Sequence, residues 1–441
     1  MSRVSIVGGG LAGAEAAWQL ARRGIDVSLF EMRPAKSTPA HKTDKLAEIV
    51  CSNSFGANDI SSPAGILKRE LKIFNSLIME CAENSQVPAG KALAVDRDVF
   101  SSLVTERLSS MPTIKIIREE ISEIPEGAVI IATGPLTSMP LAESIKSSIG
   151  DEYLSFYDAV APIVLAESID SSVAWKAGRY ERGFDYYNCP MDKDQYVAFY
   201  EALVSAQRVV PHEFEKDCSF FEGCMPIEEV ARRGIDTLRF GALKPVGLTD
   251  PGTGREPYAV VQLRQDNIEG TMFNLVGFQT GLRYGEQERV FKTIPGLQNA
   301  EFVRFGVMHR NIYVNAPRVL DSELRLKTFK ENNVDVFVAG QLTGVEGYME
   351  STAMGLVAAL NMYCSLSNLP YIVFPRESAI GSLLNYLINA DAKHFQPMNV
   401  NLGIFPPLYG RKIKKKTERC QMVAERAIEK VLGVVSEFDF I

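Results

Sequence analysis

The sequence lacks the cysteine patterns that mark disulfide-bonded and metal-binding proteins. Its 441 residues contain seven cysteines, and no two of them form a Cys-X-X-Cys pair. Seven cysteines spread over a chain of this length do not indicate a disulfide framework. The missing pairs argue against a structural zinc site and against a thioredoxin-like redox centre, so we expect no metal.

Long apolar runs and an excess of basic charge are also lacking. No apolar stretch is long enough to span a bilayer, and the apolar start of the chain is typical of a first strand, not of a signal peptide. A cytoplasmic location is therefore expected. The formal net charge is −7, so nucleic-acid binding would depend on a local basic patch. The one dense basic run, residues 411–416, is either a solvated face or an RNA contact.

A dinucleotide-binding pattern occupies residues 4–33. Apolar runs predict buried strands over residues 4–7 and 27–30, and a helical period covers residues 12–21, with Gly24 as the C-cap. The glycines of the first turn permit a tight bend and the approach of a pyrophosphate to the helix N-terminus, while Glu31 can accept hydrogen bonds from a ribose. The predicted contacts are Gly8, Gly9, Gly10, Leu11, Ala12, Gly13 and Glu31.

Two later stretches predict that the chain returns to the same nucleotide. One apolar strand, residues 128–132, ends in Thr133 and Gly134, and another, residues 334–339, ends at Gly340. A loop with Glu346, Gly347 and Tyr348 follows, and it leads into a helix rich in alanine and glycine. Small residues at a helix start let its N-terminus come close to a flavin. A further helix is predicted over residues 65–84 from its apolar face.

Residues 153–306 lose the alternation of strands and helices and become rich in aromatics and isolated prolines. We interpret them as an inserted substrate domain. The predicted fold is α/β: a Rossmann-like FAD-binding domain of the glutathione-reductase type, formed by residues 1–152 and 307–441. An α+β insertion domain, residues 153–306, interrupts it.

Several blocks of the sequence are more specific than the glycine turn. They are VSIVGGGLAGAEAA, CSNS, PAGKALAVDRDVFS, FEGCMPIEE, RQDNIEGTMFNLVGFQT, VMHRN and AGQLTGVEGYMESTAMG. Together they resemble the TrmFO family of folate- and FAD-dependent RNA uracil-5-methyltransferases over nearly the whole chain. The resemblance implies a tRNA substrate and ribothymidine at its T-loop position 54. A close paralogous family, RlmFO, methylates uridine in large-subunit ribosomal RNA (rRNA), and the motifs do not separate the two.

The resemblance implies a mechanism based on a cysteine thiolate. The thiolate adds to carbon 6 of uracil, and carbon 5 then attacks a methylene unit from 5,10-methylenetetrahydrofolate. FAD supplies the reducing equivalents, and NADPH or NADH renews them. Cysteine suits this addition and elimination because its thiolate is both a strong nucleophile and a good leaving group.

The same resemblance implies roles for particular residues. It places the nucleophile at Cys224 and a second functional cysteine, near the flavin, at Cys51. It places His309 against the folate pteridine, with a structural histidine as the alternative. Arg283 and Arg264 are candidate contacts for RNA or another anion, with surface ion pairs as the alternative.

The remaining five cysteines are expected to be structural. Cys81, Cys364 and Cys420 fall on helical stretches and are expected to be buried, and Cys189 and Cys218 favour a structural interpretation.

The sequence departs from the family pattern in three places. Phe55-Gly56 follows CSNS where the family commonly has leucine and often a basic residue. Lys91 and Gly281 also depart from the pattern, and these changes affect the expected target affinity more than flavin binding.

Two other functions remain compatible with the nucleotide-binding pattern. A flavin oxidoreductase acting on a small molecule would need the same nucleotide domain, and Cys224 in its motif argues against it. A flavin-binding RNA scaffold without chemistry is the third possibility, against which the retained cysteines argue.

Overall fold

The protein is described from a computed structural model. It describes residues 3–38, 40–150, 154–181, 183–209, 225–330, 334–408 and 415–438. For residues 154–158, 181, 309, 310, 330 and 416 only the backbone is described.

The first part of the chain builds most of a parallel sheet and the helices that cover it. In chain order its elements are β1 (Val4–Val7), α1 (Leu11–Ala21), β2 (Val27–Phe30), β3 (Ser54–Ala57), α2 (Pro63–Ile73), α3 (Leu77–Glu83), β4 (Gln86–Val87), β5 (Ala92–Val95), α4 (Arg97–Ser109), β6 (Ile114–Ile117), β7 (Val129–Ile131) and α5 (Met139–Ile149).

The middle part of the chain is dominated by antiparallel strands. Its elements are β8 (Leu154–Ala159), β9 (Ile163–Leu165), β10 (Trp175–Lys176), β11 (Tyr186–Met191), α6 (Lys193–Ser205), α7 (Ile227–Arg232), α8 (Thr237–Phe240), β12 (Ala259–Gln265), β13 (Met272–Leu275), α9 (Tyr284–Phe291) and β14 (Phe302–Arg304).

The last part returns to the parallel sheet. Its elements are β15 (Met308–Tyr313), α10 (Ala316–Val319), α11 (Lys327–Lys330), β16 (Val336–Val338), α12 (Tyr348–Leu366), α13 (Ala379–Asn389) and α14 (Lys416–Glu437).

The parallel sheet has the strand order β16-β7-β1-β2-β6. Its three central strands, β1, β2 and β7, contain almost only buried residues, because helices cover both faces of a parallel sheet and each strand then needs apolar side chains on both sides. Gly355 lets α12 lie close to α1, because a Cβ there would stand 2.3 Å from the carbonyl oxygen of Ala12. Gly340, in the turn after β16, likewise approaches α1: a Cβ there would stand 2.8 Å from the Ala12 side chain. The predicted α/β class with a Rossmann-like sheet is confirmed.

The middle part forms its own sheet and core. Six strands pair in the order β10-β11-β12-β13-β9-β14, and a separate hydrophobic core lies on this sheet between residues 164 and 302. A two-stranded ribbon, β8 with β15, stands where the chain leaves the parallel sheet and returns to it. Among the described residues, no helix is both long enough and apolar enough to cross a membrane.

Two local predictions are wrong. The single helix predicted over residues 65–84 is divided into α2 and α3, because Asn75 adopts a left-handed conformation (φ 54°) and Ser76 caps a new helix by accepting from the Met79 N–H. The carboxylate of Glu15, on α1, adds to this cap by accepting from the Ser76 hydroxyl at 2.7 Å. Helix α1 ends at Ala21 with Arg22 as its C-cap, and Gly24 (φ 77°) belongs to the following turn.

Candidate functional site

A cleft opens at the carboxyl edge of β1, β2 and β7, where parallel α/β sheets bind their ligands. Its empty volume, counted out to the open mouth, is about 570 Å³. Its lining comprises Val7–Gly10, Phe30–Arg33, Thr38, His41, Glu119–Ile121, Thr133, Leu136–Ser138 and Leu141. Only glycine fits two positions of the turn beneath it. A Cβ on Gly13 would stand 1.8 Å from the Gly8 carbonyl oxygen, and Gly8 itself has a φ of 106° with Ala132 in contact.

The space beyond Gly10 is open, since a Cβ built there meets no atom within 4 Å. Gly10 is also the N-cap of α1, and no side chain caps the helix. The first N–H groups of α1 therefore face a place where an anionic group can enter, as a pyrophosphate requires. The residues fit the diphosphate of a dinucleotide such as FAD.

Glu31 is buried at the tip of β2. Its carboxylate accepts from the Gly9 N–H at 3.0 Å and from the Arg33 guanidinium at 2.9 Å. Burial alone would raise the pKa of Glu31, but the hydrogen bonds and charge of Arg33, with the Gly9 N–H, offset this and hold the pKa below its ordinary value. The carboxylate is therefore ionised at neutral pH and can accept from a ribose hydroxyl.

The second predicted loop lies beside the first. Gly134 follows β7, and Gly340 follows β16, the parallel neighbour of β7, so both loops stand at the same sheet edge as the Gly8 turn. Gly347 is the N-cap of α12 with a φ of 120°, and a Cβ there would stand 2.1 Å from the Glu350 carboxylate. The side chain of Glu346 accepts from the amide of Gln341. The two predicted loops are thus brought together.

Cys51 is held against this second loop. Its N–H donates to the Tyr348 hydroxyl at 2.9 Å, and its half-buried Sγ lies 3.8 Å from the Ala159 carbonyl oxygen. Phe55 packs edge-on against the Tyr348 ring, with the centroids 5.4 Å apart. Phe55, one of the departures from the family pattern, is therefore a buried support for the Tyr348 ring.

Three arginines bind consecutive residues around Cys51. Arg304 donates to the Val50 carbonyl oxygen at 2.6 Å, Arg97 to that of Cys51 at 2.8 Å, and Arg264 to the Ser52 hydroxyl at 2.6 Å. They come from β14, the start of α4 and β12 respectively. Arg264, which the sequence suggested as an RNA or anion contact, is only 8% exposed.

Asn53 connects the same loop to the middle sheet through a fully buried amide. Its Oδ1 accepts from Arg264 Nε at 3.0 Å and from Asn274 Nδ2 at 3.1 Å. Its Nδ2 donates to the carbonyl oxygens of Val95 and Gln265, at 3.1 and 3.0 Å. The CSNS and RQDN blocks, which lie more than 200 residues apart, therefore form one polar network. Sequence reasoning missed Asn53, Arg97 and Arg304; the first two lie in the quoted blocks, which was the available signal.

The other predicted site residues are placed differently. Cys224 and Cys218 lie outside the described residues, as do residues 411–414 of the basic run. The backbone of His309 pairs with that of Asp158 in the β8–β15 ribbon. Arg283 is exposed at the N-cap of α9, with its guanidinium 3.3 Å from the Gln207 side-chain oxygen.

The structure also describes the surroundings of Gly281 and Lys91, the two other departures from the family pattern. The Gly281 N–H donates to Glu228 at 2.7 Å, and a Cβ there would stand 3.3 Å from both this carboxylate and the Met308 sulfur, so a larger residue would be crowded. Lys91 is exposed and lies 4.0 Å from the Asp59 carboxylate.

Four cysteines are buried away from this site, namely Cys81, Cys189, Cys364 and Cys420. Burial raises the pKa of Cys81 and of Cys189 to about 12, and that of Cys364 to about 11. Such thiols stay protonated at neutral pH and behave as small apolar side chains.

The chain was compared with known proteins. Residues 3–370 match the family model described as glucose inhibited division protein A. A methylenetetrahydrofolate--tRNA-(uracil-5-)-methyltransferase TrmFO from Moorella thermoacetica is 57% identical over 429 residues, which cover 97% of each chain. The TrmFO protein of the same description from Listeria innocua is 54% identical over 98% of this chain and 99% of its own.

The fold has solved counterparts. The structure of Aquifex aeolicus GidA in its form II crystal superimposes with a TM-score of 0.69 at 17% sequence identity, covering 98% of this chain and 73% of that one. The form I crystal of the same protein gives a TM-score of 0.68, also at 17% identity, over 99% of this chain and 78% of that one. At this identity the likeness concerns the fold alone.

Proposed function

Since the chain belongs to the TrmFO family of the wider glucose inhibited division protein A group, we propose that it methylates carbon 5 of uridine in RNA with 5,10-methylenetetrahydrofolate as carbon donor. The proposed substrate is tRNA, at T-loop position 54, and the proposed cofactor is FAD. NADPH or NADH is the proposed reductant and the cytoplasm the proposed location. The proposed FAD-binding domain comprises residues 1–152 and 307–441, with residues 153–306 as the substrate-binding insertion.

One observation supports the proposal most strongly: the Cys51 N–H donates to the hydroxyl of Tyr348, which begins α12 directly after the second nucleotide loop. A thiol is thereby held beside the loop proposed to bind the flavin. In simple dinucleotide binding, nothing requires a cysteine there. A half-buried thiol at the edge of a nucleotide site is suited to chemistry with a bound carbon unit.

Each part of the proposed FAD site would bind a different part of the cofactor. The pyrophosphate would lie at the start of α1, held by Gly8, Gly9, Gly10, Leu11, Ala12 and Gly13, and Glu31 would accept from the ribose. The loops after the neighbouring strands would complete the site through Gly134, Gly340, Glu346, Gly347 and Tyr348. Bound FAD supplies the reducing equivalents that convert a methylene to a methyl group.

The chemical step is assigned to thiols. By family resemblance, Cys224 adds through its thiolate to carbon 6 of uracil and leaves once carbon 5 has gained its new bond. By the same resemblance, Cys51 would work beside the flavin and His309 would stack on the folate pteridine, while Arg283 is the candidate RNA contact. The exposed position of Arg283 at the start of α9 agrees with such a contact. The target uridine must leave its stack to reach these groups, which costs a few kcal/mol.

The test is a transfer assay with isotope-labelled methylenetetrahydrofolate. The purified protein is incubated with FAD, NADPH or NADH, and unmodified tRNA or rRNA transcripts. We expect label at carbon 5 of one uridine in tRNA. Label in rRNA alone would assign the protein to the RlmFO-type reaction, and label in neither RNA, with flavin still reduced by NAD(P)H, would favour a small-molecule oxidoreductase.

A further inference from the structure

Three arginines, which we call the cationic cluster, converge on the loop of residues 49–53. Arg97, Arg264 and Arg304 donate hydrogen bonds to this loop. Burial, together with repulsion from Arg97, lowers the pKa of Arg304 and of Arg264 against the opposing attraction of Asp266. The three charges are therefore close enough to repel one another.

Negative charge in the cluster is scarce. Within the described part of the chain, the carboxylate that pairs with the cluster is Asp266, 3.1 Å from Arg97. The nearby Glu48 is engaged by Arg33 at 2.8 Å and by the backbone N–H groups of Lys42 and Thr43. No described carboxylate forms an ion pair with Arg264 or Arg304. The cluster holds more positive charge than it neutralises.

Several of its hydrogen-bond donors are also unused. Arg97 uses all three of its guanidinium nitrogens, on Asp266, Ile49 and Cys51. Arg304, by contrast, donates to the described residues through Nη2 alone. Its other two guanidinium nitrogens are not among the sealed, unpartnered polar atoms of the described residues and the residue is only partly buried, so solvent reaches them. Guanidinium groups with free, accessible N–H donors are suited to bind phosphate or carboxylate.

We propose that Arg304, beside the charges of Arg97 and Arg264, binds a backbone phosphate of the RNA substrate next to Cys51. This inference rests on the proposed function. A uridine that reaches the site brings its own phosphodiesters, because base, ribose and phosphate are joined within one nucleotide. The carboxylates of a folate, in contrast, stand at the far end of its tail from the reacting pteridine, so they are less suited to a site beside the thiol.

The experiment measures the dissociation constant of the FAD-loaded enzyme for an unmodified tRNA transcript over a series of KCl concentrations. Each lost phosphate contact makes the plot of log Kd against log salt shallower by about 0.7 to 0.9. We expect this change in Arg304→Gln, and an unchanged slope in Arg304→Lys, which retains the charge. A role limited to shaping the Cys51 loop would leave the slope as it is in the wild type.

Arg107→Gln is the matched control, because Arg107 is exposed, pairs with Glu80 and lies at the opposite end of α4 from Arg97. It removes the same charge and should keep the slope. The proposal is overturned if Arg304→Gln keeps the slope too, if it raises only the KM for methylenetetrahydrofolate, or if its only effect is loss of FAD. Failure of the proposed function is distinguishable, since then the wild-type enzyme itself would transfer no methyl group to RNA.

Discussion

Replacement of Asn53 by alanine tests the network that holds the Cys51 loop. Asn53 is fully buried, and its amide makes four hydrogen bonds, to Arg264, Asn274, Val95 and Gln265. The substitution removes both acceptor and donors, so a charged guanidinium nitrogen, an amide and two carbonyl groups lose a partner at once. A buried polar group left without a partner costs about 1–3 kcal/mol.

The four costs do not add fully, because water and neighbouring side chains replace part of what is lost. We therefore expect the free energy of unfolding to fall by about 3–5 kcal/mol, as when a buried polar network loses one member. We also expect methyl transfer to fall, because Arg264 would no longer be fixed against Ser52.

Urea unfolding followed by tryptophan fluorescence measures this loss. The two tryptophans are well placed, since Trp18 lies on α1 and Trp175 on β10 of the middle sheet. Asn58→Ala is the control: Asn58 is exposed and its side chain makes no described hydrogen bond, so the change should stay within about 0.5 kcal/mol. A loss below about 1 kcal/mol in Asn53→Ala would show that the network does not hold the loop.

Three more outcomes can be checked. Cys224→Ala should abolish methyl transfer while the purified protein stays yellow; a colourless protein would indicate a structural role instead. Tyr348→Phe removes the acceptor of the Cys51 N–H and should lower the transfer rate several-fold without releasing FAD, whereas an unchanged rate would contradict the importance of this bond. Burial raises the pKa of Glu70 to about 8. The contribution of this carboxyl group to the free energy of unfolding is therefore complete below its ordinary pKa of 4.5 and is lost as the pH rises through 8. Glu70→Gln should flatten this decline in stability, and an equal decline in both proteins would refute the assignment.

The glycine turn and the strands of the proposed nucleotide site could be predicted from the sequence because their requirements are local. A strand, a turn that only glycine can form and a helix with an uncapped start follow one another within residues 4–21. Gly13 is needed because its Cβ would meet the Gly8 carbonyl, five residues away. Apolar runs buried on both faces likewise predicted β7 and β16.

Tertiary structure decided what surrounds Cys51. Arg264 binds Ser52 across 212 positions of the chain, and Arg304 binds Val50 across 254. No periodicity or spacing in the sequence predicts such a contact, since it depends on how the middle sheet packs against the parallel sheet. The break between α2 and α3 begins locally at Asn75 and Ser76, and a distant residue strengthens it, because the carboxylate of Glu15, 61 residues earlier, accepts from the Ser76 hydroxyl. Local sterics can be read along a sequence, whereas the pairing of buried charges depends on which distant segments the fold brings together.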